Sequence, residues 1–302
     1  MTFPSEQSIN RIFSTILNQK LQDFEEDVKA LGEPITQATI EIFNAVTSQL
    51  LPTPARIHYL FNLRDISKVF QGVMRSNKEY YDSSDSLAKL WIHEVTRVFG
   101  DRLIDRGDRD YLMKVIDEKL VAHMETSLAD LGITKRVPIF ADIFSTNVND
   151  TFLYEEVANV DKLKQFMESK LEEYNSEPGF VQVDLVLFYD AIDHICRITR
   201  VLRQPNGNVF LIGVGGSGRQ SLTRLASYLV ETKVYQIKIS KNYRHVEFRD
   251  DLKKIYMTTG IENKPLVFLL TDAQIVNEIF LEDLSNILSS GEVNSISFPL
   301  IL

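Results

Sequence analysis

The sequence predicts an α/β protein in which a helical first half, residues 1–136, precedes a partial core with a parallel sheet, residues 137–302. Three observations lead there. Apolar residues recur at helical spacing through the first half. From Asn208 the period changes, and short apolar strands alternate with helices. Between the first of those strands and its helix lies a loop with four glycines among the six residues from Gly213 to Gly218. Strand–helix alternation implies parallel strands joined by crossovers.

The helical half begins behind an N-cap at Ser5, where Ile9, Ile12, Phe13, Ile16, Leu17 and Phe24 repeat at helix spacing. Leu63, Ile66, Val69, Phe70 and Val73 repeat the pattern, as do Leu87, Leu90, Trp91, Val95, Val98 and Phe99. A further amphipathic stretch runs over Tyr111–Met124. Leu51-Pro52-Thr53-Pro54 must be extended, because each proline disfavours helix in the residue before it. This half reads as a bundle or lid. Pro138, Asn147, Asn149 and Asp150 break the pattern across Val137–Asn149, a domain boundary. A helical passage then runs to Glu173, Asn175–Gly179 interrupts, and Asp184–Leu202 reads as helix. Beyond it come a strand at Val209–Ile212, a helix at Gly218–Leu229 and a strand at Lys233–Ile239. A helix at Val246–Thr258, a strand at Leu266–Leu270 and a helix at Ile279–Leu288 complete the order.

Composition narrows the function classes. At 302 residues with 44% hydrophobic and 25% charged content, the chain can bury a core in each half. Thirteen glycines and nine prolines leave no low-complexity tract. A net charge of −9 argues against a nucleic-acid surface. One cysteine, Cys196, forms no internal disulfide and fits a reducing compartment. No apolar run approaches the ~20 residues of a membrane-spanning helix, and Met1–Gln7 lacks the charged-then-apolar order of a signal sequence. The expectation is a soluble, intracellular protein that engages neither membrane nor nucleic acid.

The chemistry concentrates at Gly213-Val214-Gly215-Gly216-Ser217-Gly218-Arg219-Gln220-Ser221. Glycines at a strand-to-helix turn let the backbone aim N–H groups at an anion, and the positive end of the helix dipole adds to the attraction. The phosphate-loop pattern is G-x-x-x-x-G-K-[ST]. Gly213 and Gly218 frame it, Arg219 stands at the lysine position and Gln220 at the Ser/Thr position. Arg219 keeps the charge with a different geometry. Gln220 offers an amide oxygen where a hydroxyl normally holds Mg²⁺, and Ser221 comes one residue late. Phosphate binding without efficient hydrolysis is the expectation. Gly213, Gly215 and Gly218 also satisfy G-x-G-x-x-G, but a dinucleotide site wants an acid at the end of the second strand. There stand Ile239-Ser240-Lys241, with Glu231 before the strand; Lys241 would suit a 2′-phosphate. A glycine-rich turn without a ligand is the plainest alternative.

A phosphate-loop ATPase also needs an acidic strand end. Leu266–Leu270 runs into Thr271-Asp272, the place of a Walker-B acid supporting Mg²⁺ followed by a catalytic Glu. Either Thr271 holds the Asp place and Asp272 the Glu place, or Asp272 supports the metal and Ala273 holds the base place. One acid is missing in both. The simpler alternative has Asp272 capping the following turn. The histidines at 58, 93, 123, 194 and 245 show no metal-ligand spacing. Tyr80, Tyr81, Glu172 and Glu173 read as surface or packing residues.

Longer stretches carry a family resemblance. Leu187–Arg197, Gly213–Ala226, Tyr235–Ile239, Phe248–Lys254, Phe280–Leu284 and Gly291–Val293 closely resemble the fourth AAA+ module of axonemal dynein heavy chains. Leu51–Val73 resembles the helical lid of the preceding, third module. The resemblance covers nearly the whole chain. It implies a P-loop AAA+ core preceded by a lid, with ATP or ADP as nucleotide and Mg²⁺ as companion. It also implies, as partners, the rest of the motor ring, microtubules through the parent protein and other dynein chains. The location implied is the cytoplasm and cytoskeleton, in a ciliary or flagellar axoneme. Arg64, in Phe61-Asn62-Leu63-Arg64-Asp65, matches the sensor-II arginine that reaches the nucleotide of the third module. The fourth module commonly carries the Arg-Gln variant, so Arg219 and Gln220 fit a regulatory site. The tail Ser295–Leu302 departs from the pattern, and the chain reads as a fragment of the motor.

Overall fold

The computed structural model describes residues 4–143 and 152–293. The chain divides into two compact units, one running to Ala158 and the other beginning at Asn159. The tail Ser295–Leu302, and the Asn147, Asn149 and Asp150 of the expected boundary, lie outside the described residues.

The first unit contains the helices α1 (Glu6–Leu21), α2 (Glu26–Lys29), α3 (Gly32–Gln49), α4 (Leu63–Val73), α5 (Ser84–Val95) and α6 (Arg106–Met124). One wider turn, Thr96–Gly100, prolongs α5. Local caps start three of these helices. The Ser5 hydroxyl accepts from the Ser8 amide, and Ser83 does the same for Ser86. Asn62 and Asp65 form a reciprocal capping box. One face of each helix turns inward. Ile35, Ala38, Ile42 and Val46 of α3 share a core with Ile66, Val69, Phe70 and Val73 of α4, and with Leu87, Leu90 and Trp91 of α5. The Trp91 indole N–H donates to the Thr39 hydroxyl at 2.9 Å, and Thr39 in turn donates to the Ile35 carbonyl. On α1 the inward face is narrower than the sequence pattern. Ile9, Leu17 and Leu21 are buried and Phe13 stacks on Phe70, while Ile12 and Ile16 are exposed. At 100° per residue the five apolar residues from Ile9 to Leu17 spread over about 140° of the helix, more arc than one packing partner covers. Leu51, Pro52 and Thr53 form neither helix nor strand. A two-residue antiparallel pair, β1 (Phe140–Ala141) with β2 (Glu155–Glu156), closes the unit.

The second unit holds α7 (Val160–Ser176), α8 (Tyr189–Leu202), α9 (Arg219–Leu229), β3 (Lys233–Tyr235), α10 (His245–Tyr256), β4 (Leu266–Phe268) and α11 (Ile279–Ser290). Strands β3 and β4 pair in parallel, Val234 opposite Val267, with α10 on the crossover between them. The parallel α/β character expected from the alternation is therefore present. Helix α8 packs along α9. Phe248 of α10 stacks face to face on Phe280 of α11, with centroids 4.2 Å apart, in a second small core with Ile237 and Leu252.

Two expected elements differ. Val209–Ile212 forms no strand: Phe210 and Ile212 are 87% and 77% exposed, and no strand among the described residues pairs with them. A strand needs a neighbour's backbone, and none of the described strands supplies one to this segment. The helix expected from Asp184 begins only at Tyr189. Val183 and Leu187 are buried while Asp184, Val186 and Phe188 are exposed, the period-two alternation of extended chain. The Asn175 side chain holds both the amide and the carbonyl of Val183, standing in for a strand neighbour.

Candidate phosphate-binding site

The glycine loop turns in two steps. The Ser217 amide bonds to the Val214 carbonyl at 3.3 Å, closing a tight turn whose third residue, Gly216, has φ of +78°. That position of a type II turn demands a left-handed residue. Gly218 is left-handed as well, at φ +76°, and is the N-cap of α9. A glycine cap has no side chain to accept the first amides of the helix, so those donors stay available to an outside acceptor. A Cβ built on Gly215 or Gly216 meets nothing within 4 Å, so the space beside these two residues is open. The residues present therefore suit a phosphate group.

Arg219 opens α9 and its guanidinium donates to the Val214 carbonyl across the loop at 3.3 Å, a long and exposed bond. Gln220 does not stand free: its amide oxygen accepts from Gln236 at 3.4 Å. Gln236 also accepts from Arg224, one turn further along α9. The strand end after β3 is thus clamped to the first two turns of α9. Ser221 lies within the first turn of that helix, beyond the loop.

The acidic strand end sits on the other side of the same segment. After β4 the chain makes a single 3-10 turn, Asp272–Gln274. Thr271 and Gln274 cap it reciprocally: the Gln274 amide donates to the Thr271 carbonyl, and the Thr271 amide to the Gln274 side chain at 2.8 Å. Asp272 is exposed and its side chain is not needed as the cap. Buried Gln274 also donates to the Ile237 carbonyl, one residue beyond Gln236. Residues 236 and 237 therefore tie the start of α9 to the turn that carries Asp272. Among the described residues, no three His, Cys, Asp or Glu side chains gather as a metal cluster. A divalent ion here would take its remaining ligands from phosphate and water.

Sequence reasoning passed over Gln236 and Gln274. Nothing local marks Gln236. Gln274 carried a signal, because the Thr271-Asp272-Ala273-Gln274 spacing is that of a capping box. A second clamp steadies β3: the hydroxyls of Tyr235 and Tyr243 each donate to one oxygen of Asp251 at 2.7 Å. Burial, and then the Asp251 charge, push the Tyr235 hydroxyl up to about 12, so it remains a donor. In the first unit, Arg64 is exposed in the first turn of α4, whose capping is done by Asn62 and Asp65. Asp65 is committed elsewhere, to Arg102 at 2.7 Å. A cation at a helix N-terminus opposes the macrodipole, so Arg64 does not serve the helix it sits on.

Residues 183–298 match the family model described as the P-loop containing dynein motor region D4, and residues 35–131 match that of the AAA+ lid domain. The chain is 51% identical over 293 residues to dynein axonemal heavy chain 2 of Mus musculus, covering 97% of this chain and 6% of the relative. It is 49% identical over 301 residues to the dynein-1-beta heavy chain, flagellar inner arm I1 complex, of Chlamydomonas reinhardtii, covering 99% and 7%. The chain belongs to the dynein heavy-chain family. It spans only 6–7% of the length of these dynein relatives. Within that span it joins an AAA+ lid to a P-loop region, which accounts for a helical unit followed by one with parallel strands.

Proposed function

We propose that the chain contributes to a microtubule motor ring the lid of one AAA+ module, residues 1–136, and part of the core of the next, residues 137–302. In this reading the loop Gly213–Ser221 is a regulatory nucleotide site for ATP or ADP. The backbone at Gly215, Gly216, Ser217 and Gly218 cradles phosphate, Arg219 leaves the Val214 carbonyl to pair with terminal phosphate oxygens, and Asp272 supports Mg²⁺ or a water. Arg64 serves the nucleotide of the preceding module. The motor ring, microtubules and other dynein chains are the partners, in a cilium or flagellum. The observation that carries the reading is the glycine-capped, donor-rich start of α9 beside an open loop.

Hydrolysis by this segment alone is expected to be very poor. Phosphoryl transfer needs positioned metal and base together. Gln220, already engaged by Gln236, takes the place of the metal-binding hydroxyl, and Asp272 is the one acid at the strand end. Titration of fluorescent ATP and ADP, with and without Mg²⁺, tests both statements. Wild type should bind, with affinity that barely responds to Mg²⁺. Arg219→Ala should weaken binding by ~10–100-fold, the worth of one hydrogen bond between charged groups. Absence of binding by a folded protein would sink the nucleotide site, and Mg²⁺-dependent turnover abolished by Asp272→Asn would sink the poor-ATPase claim. The bond from Arg219 to Val214 also favours a second reading, a scaffold segment whose loop never exchanges nucleotide. Nucleotide exchange separates the two.

A further inference from the structure

We propose a second anion site, in the helical unit, that takes a phosphate monoester. It is a cavity of about 510 Å³ where the C-terminal ends of α1 and α4 meet the segment Phe152–Tyr154. Lys20 enters from the last turn of α1, and Arg75 and Lys78 come from just beyond α4. Asp23 is the carboxylate among the lining residues. Arg75 gives one nitrogen to Asp142 and lies over the Tyr154 ring, 3.8 Å from its centroid. Its other terminal nitrogen, Nη1, is buried without a partner. Ser76 beside it is 2% exposed, and its hydroxyl is also buried without a partner.

Cations at helix C-termini complement the macrodipole, which accounts for Lys20 and Arg75 in part. It does not account for the hydroxyl. A buried polar atom left unpaired costs ~1–3 kcal/mol, and such atoms are few in a folded protein. Two of them on adjacent residues lining one cationic cavity mark the place of a missing acceptor. Burial also pulls the Lys20 ammonium down from its ordinary range, which a bound anion would reverse. The acceptor is a phosphate rather than a carboxylate, because it must satisfy a guanidinium, a hydroxyl and two ammonium groups at once. The cavity is larger than an inorganic phosphate and falls within the ~300–1,000 Å³ of small-molecule sites. Phe24 and Tyr154 supply an apolar wall for an organic body.

The test is calorimetric titration of the full chain with phenyl phosphate and with inorganic phosphate. Arg219→Ala serves as background, which weakens phosphate binding at the glycine loop. Phenyl phosphate should bind the more tightly. Ser76→Ala should weaken it about fivefold and the double variant Lys20→Gln/Lys78→Gln at least tenfold. Ser76→Ala should raise the unliganded Tm, because it deletes an unpaired buried hydroxyl, so its loss of binding cannot come from misfolding. Unchanged affinity in both variants, or no binding by a folded protein, overturns the site. Equal affinity for the two probes overturns the monoester assignment.

Discussion

Asp283→Asn is the most demanding single test of how the second unit holds together. Asp283 of α11 is 2% exposed. Its Oδ2 accepts from His245 Nε2 at 2.8 Å and from Arg249 Nε at 3.1 Å, and its Oδ1 accepts from Arg249 Nη2 at 3.0 Å. Asparagine keeps the shape and the Oδ1 contact but turns an N–H₂ toward two donors. Breaking a buried ion pair costs ~3–5 kcal/mol, and because both partners are about one-third exposed the expectation falls to roughly 2–3 kcal/mol. The one tryptophan, Trp91, sits in the first unit and does not report on this pair. Hydrogen exchange of the α10 amides does, and their protection should fall by ~30–150-fold. A change under twofold would show that Phe248 on Phe280, not the ion pair, fastens α10 to α11. The pH dependence follows from direction. Burial raises the Asp283 carboxyl, but Arg249 and His245 outweigh it and hold it below the usual value. A depressed folded value means the pair stabilises fully above the unfolded aspartate value of ~3.9 and loses that contribution as pH falls through the lower folded one. The gap between wild type and D283N should close accordingly in acid.

Two further predictions concern the first unit. A Cβ on Gly72 would lie 1.8 Å from Glu94 Oε2, a fully buried carboxylate that accepts from the Tyr154 hydroxyl, so Gly72→Ala should destabilise by ~3 kcal/mol in urea denaturation followed by Trp91 fluorescence. A cost below ~1 kcal/mol would mean that Glu94 relocates freely. Thr39→Val removes the acceptor of the Trp91 indole N–H while keeping the volume, and should cost ~1–3 kcal/mol with a shifted Trp91 emission; a neutral result would place another acceptor there.

What the sequence made legible follows from the range of the forces involved. Helix caps and one-sided apolar repeats act within a few residues, so Ser5, Asn62 and the inward faces of α4 and α5 could be read directly. The glycines could be read for the same reason, since a left-handed φ at Gly216 and Gly218 is a demand of the local turn. Val209–Ile212 could not, because a strand exists only through a partner elsewhere in the chain. Leu185, Val186, Leu187 and Phe188 are apolar whether read as helix or as extended chain, and only the alternation of burial decides for the latter. The site divides along the same line. Its cradle is local, but its rigidity comes from Gln220 to Gln236 and Gln274 to Ile237, contacts 16 and 37 residues apart. Those glutamines give the departures from the phosphate-loop pattern a structural sense. A hydroxyl at position 220 would be too short to reach Gln236, so restoring the consensus residue would also loosen the clamp between α9 and β3. The amide that departs from the consensus hydroxyl is the one that braces the loop, so in the proposed reading the same substitution that would weaken a metal site also holds the cradle in place.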